Sequence, residues 1–473
     1  MSVTKKIAHN TMVQIVGKIF STVLGLVALG MMTRYLGAEQ FGWYITTIAF
    51  LQFVGILIDF GLIPVTAQMM SEPKFDKIKL FKNLFTYRLI TAIIFLGIAP
   101  LIALFFPYPI EVKIAISFTT ISFLGVAINQ VLVGLYQTKL KMYVQAIGEN
   151  IGRIVLILGL CLVIFYNQGF VPVMIVVTLS SIAFTLYLLI KARNETPLGF
   201  AFDKEIWKAI TVKMWPIAIS IIFNVVYLKG DIILLSFFRS QTEVGIYGAA
   251  YRVIDVLSST AMLLIGIMLP LLTFHWSRKN KGEFKKYFQL SFDAMMALAI
   301  PMSAGVIVLA KPIMTIIAGE KFDASVLPLQ ILAIAIFGVY LGAVFGHTAV
   351  AINRQKQTMW IYISTAIITL TGYLIFIPRY GMYGAAWMTV FSEIYVGIML
   401  FFTIRHYSKE RLQLHTLAKI IFSSLVMTAS LYLLSSLNVI LLVALGVLIY
   451  STMLLALGGI SKATIKDILS LEK

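Results

Sequence analysis

Residues 325–350, SVLPLQILAIAIFGVYLGAVFGHTAV, contain no Asp, Glu, Lys or Arg. A stretch of this length is long enough to cross a bilayer as a helix, which takes about 20 predominantly apolar residues. An open strand in hydrocarbon would leave its backbone polar groups without partners, so a spanning segment of this kind must be helical. The stretch therefore predicts a transmembrane helix, and similar stretches recur along the whole chain.

The composition agrees with repeated membrane crossing. Of the 473 residues, 60% are hydrophobic and only 12% are charged, about half the charged share of a soluble domain. The predicted spans are 11–33, 41–63, 84–106, 113–135, 144–166, 171–191, 213–236, 245–274, 289–311, 325–350, 358–377, 381–404, 416–436 and 438–460. The sequence predicts an all-α polytopic membrane protein with about 14 transmembrane helices. It excludes a soluble enzyme, a nucleic-acid-binding module and, with Cys161 as its single cysteine, a disulfide scaffold.

The basic residues predict the orientation of these spans. With the N-terminus in the cytoplasm, 27 of the 38 Lys and Arg residues fall at cytoplasmic ends and loops, 6 fall outside and 5 fall within spans. Such a bias marks the cytoplasmic side of a membrane protein. We therefore expect a multi-pass protein of the cytoplasmic (inner) membrane of a prokaryote, with both termini in the cytoplasm. The net charge of +18 is assigned to this surface and to membrane lipids, with no nucleic-acid partner.

A polar connection and weak internal repeats predict the organisation. EQFGWY at 39–44 resembles EVGIY at 243–247, and YGAA at 247–250 recurs at 383–386. Paired repeats are a common way of building transporters. The predicted parts are an N-terminal six-helix bundle (1–195), a cytoplasmic linker (196–212), a C-terminal six-helix bundle (213–410), and a segment with helices 13 and 14 and a cytoplasmic tail (411–473).

Several motifs at helix ends carry a family resemblance. They are TRYLG at 33–37, FGWY at 41–44, DFGL at 59–62, VGIYGAAYR at 244–252 with Pro270, and IPRYGMYGAA at 377–386. With these motifs the chain resembles the polysaccharide-export (O-antigen, lipid-linked oligosaccharide) flippases of the multidrug/oligosaccharidyl-lipid/polysaccharide (MOP) exporter superfamily.

The resemblance implies a V-shaped, MOP/MATE-like arrangement of two bundles. It also implies that the chain moves a lipid-linked oligosaccharide, usually carried on a polyprenyl diphosphate, from the inner to the outer leaflet. Members of the family carry no ATPase and alternate access between the two sides. Other proteins of surface-polysaccharide assembly are further expected partners.

Ionisable residues inside spans are costly and are therefore functional candidates. The candidates for binding the diphosphate are the five basic residues within spans: Lys18, Arg88, Arg153, Lys229 and Arg252. For Lys18 the alternative is a lysine that reaches the cytoplasmic headgroups. For Arg88 the alternative is a structural partner such as a headgroup or Asp59.

Four acids are candidates for coupling or gating: Glu149, Asp231, Asp255 and Glu393. Glu149 lies four residues before Arg153, so the two can form an ion pair on one helix face, either static or acting as a gate. Arg252 and Asp255 have a similar spacing, and Asp231 is a candidate partner of Arg252. Glu393 either exchanges H⁺ or Na⁺ or is a hydrogen-bonded packing residue.

The sequence lacks the motifs of an ATPase and of a metal site. No G-x-x-x-x-G-K-[ST] motif is present, and the five histidines have no metal-binding spacing, so we expect a transporter without an ATPase, cofactor or metal. Two alternatives remain. One is a MATE-like drug or organic-cation antiporter, and the other is a membrane glycosyltransferase or polysaccharide polymerase.

Overall fold

The computed structural model describes residues 3–59, 65–66, 69–70 and 75–459, and all regular secondary structure in these ranges is helical. The helices are α1 (Val3–Asp59), α2 (Lys77–Leu104), α3 (Ile110–Thr138), α4 (Tyr143–Phe165), α5 (Phe170–Arg193), α6 (Lys204–Phe238), α7 (Gln241–Ser277), α8 (Lys281–Ile317), α9 (Val326–Ala351), α10 (Gln355–Ser408), α11 (His415–Leu433) and α12 (Val439–Ala456). Eleven helices of the described chain are long and apolar enough to cross a membrane. The predicted all-α, multi-pass membrane protein is thus confirmed, whereas the number of fourteen spans stays a prediction.

Two long helices are bent at glycines. Gly37 in α1 has φ 68° and ψ −178°, and Gly381 in α10 has φ 56° and ψ −135°. A positive φ is readily adopted only by glycine, so these positions interrupt the helix without steric cost. Each bend lies at the boundary between two predicted spans. Helices α1 and α10 therefore each contain two predicted spans. Residues 60–62 of the DFGL motif and the tail beyond residue 459 lie outside the described residues.

The first of two compact units consists of Met1–Gly248 and Ile317–Lys321. Within it α1 packs against α2, α3, α4 and α6, and α5 packs against α3 and α4. Leu132, Leu188 and Ile210 are fully buried in its core. The phenol of Tyr136 donates to the carbonyl oxygen of Leu188 at 2.7 Å and joins α3 to α5.

The connection between α5 and α6 is held by charged side chains. Asp203 caps α6 by accepting from the backbone N–H groups of Glu205 and Ile206, and it forms an ion pair with Lys79 at 2.5 Å. Because α6 begins at Lys204, residues 204–212 of the predicted linker are helical. The predicted domain boundaries stay predictions.

The same connection is anchored at its start. The Glu195 carboxylate accepts from Lys141 Nζ at 2.5 Å and from Lys139 Nζ at 3.2 Å. These hydrogen bonds hold the pKa of the Glu195 carboxyl below its usual value, and the one from Lys141 has the larger effect.

The second unit consists of Ala249–Ile316 and Phe322–Lys473. Within it α9 and α10 pack extensively on each other. Helices α11 and α12 pack on each other, and the phenol of Tyr450 in α12 donates to the carbonyl oxygen of Ala297 in α8 at 2.8 Å. A hydrogen bond between two apolar helices, α12 and α8, therefore joins the C-terminal helix pair to the rest of the unit.

Candidate functional site

The clearest group of polar side chains in the spans of the first unit lies between α1 and α4. Lys18 Nζ donates to Glu149 Oε1 at 3.0 Å, and Ser21 Oγ donates to the same oxygen at 3.0 Å. The side chains of Lys18 and Glu149 are 43% and 22% exposed, respectively. An accessible ion pair within a membrane span needs water or lipid headgroups around it, because hydrocarbon would not solvate either charge. We name Lys18, Ser21, Glu149 and Arg153 the α1–α4 cluster.

Small residues allow the two helices to approach and form this cluster. A Cβ added at Gly17 would lie 2.8 Å from the Cβ of Ala146. Asn150 Nδ2 donates to the carbonyl oxygen of Gly17 at 3.1 Å. Close contact at small residues, reinforced by interhelical hydrogen bonds, is typical of helix association in membranes. The polar side chains of the cluster are therefore set by the packing of the helices themselves.

Arg153 occupies a different place from the one predicted. No ion pair within 4.0 Å joins it to Glu149 or to another acid among the described residues, so the predicted Glu149–Arg153 pair is wrong. Its guanidinium instead lies over α1, with Cζ 3.5 Å from the position that a Cβ on Gly25 would take. Glu149 is directed to the neighbouring helix, where Lys18 and Ser21 both reach its carboxylate. The i, i+4 spacing permits a contact between Glu149 and Arg153, but it does not determine whether Glu149 pairs with Arg153 or with Lys18 of the neighbouring helix.

The cluster lies on one side of α1. Exposed apolar residues form a stripe along this helix at Val16, Ile19, Phe20, Val23 and Val27. At 100° per residue, Lys18, Ser21 and Gly25 fall on the opposite face. The exposed apolar stripe is suited to lipid, and the exposed portion of Lys18 therefore opens to a different environment. The cluster contains two cations and one carboxylate, so it carries one net positive charge.

Arg88 is placed away from any accessible surface. It is only 2% exposed, and its Nε donates to the carbonyl oxygen of Ala127 in α3 at 3.2 Å. This arrangement favours the structural alternative over capture of phosphate at a cavity entrance. The side chain of Asp59, its other candidate partner, lies outside the described residues.

The remaining candidates of the sequence are distributed over both units. In the first, Asp231 is fully buried and accepts from the phenol of Tyr247 at 2.6 Å. Lys229 lies two residues before Asp231 and therefore on a different face of α6. In the second, Arg252 and Asp255 form the predicted i, i+3 pair at 3.7 Å. The pairing of Asp231 with Arg252 stays a prediction.

Glu393 is buried in the interface of α9 and α10 and is 6% exposed. A Cβ added at Gly338 in α9 would lie 2.6 Å from the carbonyl carbon of Glu393 and 2.7 Å from the backbone nitrogen of Ile394. The acid therefore sits where two helix backbones touch. Its role in ion coupling stays a prediction.

Sequence reasoning missed three members of this architecture: Ser21, Asn150 and Tyr247. Each is a hydrogen-bonding residue in a span without a formal charge, so a search for ionisable residues passes over it. A usable signal was present, because Gly17, Ser21 and Gly25 are spaced by four residues and mark a small, close-packing helix face.

The chain is similar to known flippases and transporters in sequence or in structure. The chain is 23% identical over 249 residues to the probable low-salt glycan biosynthesis flippase Agl15 of Haloferax volcanii, a match that spans about half of each chain, 51% of this one and 52% of Agl15. The structure superimposes on the lipid II flippase MurJ in an inward closed conformation with a TM-score of 0.78, at 16% identity over 97% of this chain and 100% of that one. An inward-facing multidrug resistance MATE family transporter of the MOP superfamily matches with a TM-score of 0.64, at 13% identity over 86% of this chain and 95% of that one.

These structural matches confirm the predicted MOP/MATE-like fold. The family model described as "Polysaccharide biosynthesis protein" matches residues 7–274, which is more than half of the chain. The chain therefore belongs to the polysaccharide biosynthesis protein family.

Proposed function

We propose that this protein is a flippase that moves a lipid-linked oligosaccharide, carried on a polyprenyl diphosphate, from the inner to the outer leaflet by alternating access. Membership of the polysaccharide biosynthesis family and the similarity to a glycan flippase support this proposal. The uneven distribution of basic residues supports an inner-membrane location with cytoplasmic termini. Proteins of surface-polysaccharide assembly are the proposed partners.

The observation that carries the proposal is the α1–α4 cluster. A glycan diphosphate cannot cross about 30 Å of hydrocarbon unaided, so its carrier protein must replace water around the polar head. Lys18 and Glu149 place an accessible ion pair within a span, on the face of α1 opposite to its apolar stripe. We propose that this face lines a water-filled passage through which the head group moves.

The two cations have different roles in this proposal. Arg153 has no carboxylate within 4.0 Å among the described residues, so its guanidinium is available to a ligand. A guanidinium presents several N–H donors in a planar fork that matches phosphate oxygens. Lys18 is held by Glu149 and Ser21, so a diphosphate would compete with the Glu149 carboxylate for it.

This competition offers a route to conformational change. Transfer of Lys18 from Glu149 to the substrate would remove an ionic contact between α1 and α4 as the substrate binds. A ligand shifts a conformational equilibrium only as far as it binds the two states differently. The contact between Lys18 and Glu149 provides such a difference, and Glu393 remains the proposed site of coupling to H⁺ or Na⁺.

The experiment is a flipping assay in proteoliposomes with a fluorescent polyprenyl diphosphate oligosaccharide, whose exposure is followed by an impermeant quencher. We expect Lys18→Ala and Arg153→Ala each to slow flipping by about tenfold or more, because a hydrogen bond to a charged group contributes roughly 1.5–3 kcal/mol. The matched control is Lys285→Ala, which removes an exposed cation from α8.

The outcomes separate the candidate functions. Unchanged flipping in both variants, with intact folded protein, would contradict the proposed site. Absence of glycan-lipid flipping in the wild-type protein, together with proton-driven efflux of organic cations, would instead support the antiporter. Melting temperatures of all variants distinguish loss of function from loss of fold.

A further inference from the structure

A groove of about 770 Å³ lies along α10 at its bend. Residues before and after Gly381 both contribute to its walls, which are almost entirely apolar. Its lining includes Gly372, Phe376, Tyr380, Tyr383, Trp387 and Phe391. None of these residues belongs to the α1–α4 cluster, so the groove is a separate feature of the second unit.

The groove exists because the two arms of α10 pack closely. A Cβ added at Gly384 would lie 2.5 Å from the carbonyl oxygen of Phe376, and one added at Gly372 would lie 2.2 Å from Cε of Met388. The arms are also joined by a hydrogen bond between the Tyr373 hydroxyl and Thr389 Oγ1 at 3.2 Å. Their close contact brings the aromatic side chains of both arms together around the groove.

These aromatic side chains are exposed although they belong to a membrane-spanning helix. Tyr380 and Trp387 are 58% and 53% exposed, respectively, and the ring of Phe376 stacks on that of Tyr380. Tyrosine and tryptophan favour the boundary between hydrocarbon and headgroups, where one end of the ring is apolar and the other is polar. The groove therefore has an apolar floor and a rim suited to the headgroup region.

An exposed cation lies at the bend. Arg379 precedes Tyr380 and is seven residues after Gly372, and both of these residues line the groove. Helical spacing places Arg379 on the same face of the first arm, at the edge of the groove and not in its lining. Among the described residues no carboxylate lies within 4.0 Å of its guanidinium, and the hydroxyl groups of Tyr380 and Tyr383 have no hydrogen-bond partner there. An exposed arginine at the end of a span reaches water or lipid headgroups. Arg379 is therefore placed where a lipid phosphate can approach its guanidinium.

We propose that the groove binds a chain of an anionic membrane phospholipid, with the lipid phosphate on Arg379. The guanidinium supplies the charge and the donors that a phosphate needs. Tyr380 and Tyr383 supply two further hydroxyl groups, and Phe376 and Trp387 cover the hydrocarbon chain. This lipid is a resident of the bilayer and is distinct from the glycan-lipid that the protein is proposed to move.

The test is native mass spectrometry of the delipidated, detergent-purified full chain during titration with phosphatidylglycerol. We expect one tightly bound lipid in the wild-type protein, and a dissociation constant at least about tenfold higher in Arg379→Gln, because a charge-assisted contact is lost. Trp387→Ala should also weaken binding by removing a wall of the groove. The matched controls are Lys356→Gln and Trp360→Ala, which change an exposed cation and an exposed tryptophan near the start of α10.

Three results would overturn the proposal. They are an unchanged dissociation constant in Arg379→Gln, equal weakening in the two control variants, and displacement of phosphatidylglycerol by polyprenyl phosphate at lower concentration. The last would assign the groove to a carrier lipid. Arg379 is exposed, so Arg379→Gln carries the test even if Trp387→Ala fails to fold. Flipping activity is not the readout, so failure here leaves the proposed function untouched.

Discussion

The interface of α1 with α4 and the interface of α9 with α10 solve the same packing problem differently. Both bring two membrane helices together at glycines and both contain a glutamate. Glu149 in the first is accessible and accepts from Lys18 and Ser21. Glu393 in the second is buried where the backbone of α10 touches Gly338.

The glycines show what each interface tolerates. A Cβ on Gly25 would meet only the flexible guanidinium of Arg153 at 3.5 Å, an ordinary contact distance. A Cβ on Gly338 would meet backbone atoms at 2.6 and 2.7 Å, and backbone atoms cannot move aside. The first interface is therefore close-packed at Gly17 but has room and donors for a ligand around Gly25, whereas the second is close-packed at the backbone beside Glu393.

The largest expected effect on stability is that of Gly338→Ala. Its Cβ would overlap the backbone of α10, and overpacking of a well-packed core costs about 1–3 kcal/mol or more. We expect a clear fall in melting temperature and in the yield of monodisperse protein, measured by fluorescence-detected size exclusion after heating. A melting temperature equal to that of the wild type would contradict the close contact.

Gly25→Ala is the matched substitution in the other interface. Its Cβ has ordinary space, so we expect the free energy of unfolding to change by less than about 1 kcal/mol. If Gly25→Ala proved as destabilising as Gly338→Ala, the two interfaces would not differ in the way described.

The next effect concerns the ion pair. Lys18→Met leaves a carboxylate and Glu149→Gln leaves an ammonium without its counter-charge, so each single change should cost about 1–3 kcal/mol of stability. The double variant leaves neither charge, and it should recover most of that stability. Flipping should remain low in the double variant, since Lys18 is absent. Recovery of flipping together with stability would show that Lys18 serves only the fold.

The smallest expected effect lies outside the membrane, at Glu195. Lys141 and Lys139 hold the pKa of this carboxyl below its ordinary value of 4.5. Its contribution to stability is therefore present above the unfolded-state pKa and is lost as the pH falls through the lower, folded-state pKa. We expect the protection factors of the amides in residues 194–203, corrected for the intrinsic pH dependence of exchange, to fall below roughly pH 4.5.

The matched variant for that measurement is Glu195→Gln. It should show faster exchange in residues 194–203 at neutral pH, by an amount equivalent to about 1 kcal/mol or less, and a weaker dependence on pH. Identical pH profiles for the two proteins would remove Glu195 from the account.

Much of the fold could be predicted from the sequence, because bilayer thickness sets the length of a membrane-spanning helix and a glycine allows a helix to bend. Gly37 and Gly381 show this, since each bend falls where one predicted span ends and the next begins. The three charged members of the α1–α4 cluster were found by charge alone, and Lys18, Glu149 and Arg153 do lie together, whereas the uncharged Ser21 was missed. Their pairing was not found, because spacing along α4 contains no information about which face of α1 lies opposite. The burial of Arg88 was undetermined for the same reason.

The most direct measurement is the water accessibility of the α1–α4 cluster. The experiment uses the single-cysteine variants Lys18→Cys and Val23→Cys, each in a Cys161→Ser background that removes the exposed native thiol. Each variant is treated with a membrane-impermeant maleimide from either side of the membrane. The account predicts labelling at position 18 from at least one side and little labelling at position 23 on the apolar stripe. Labelling at 23 with 18 unreactive from both sides would contradict a wet passage along this face of α1.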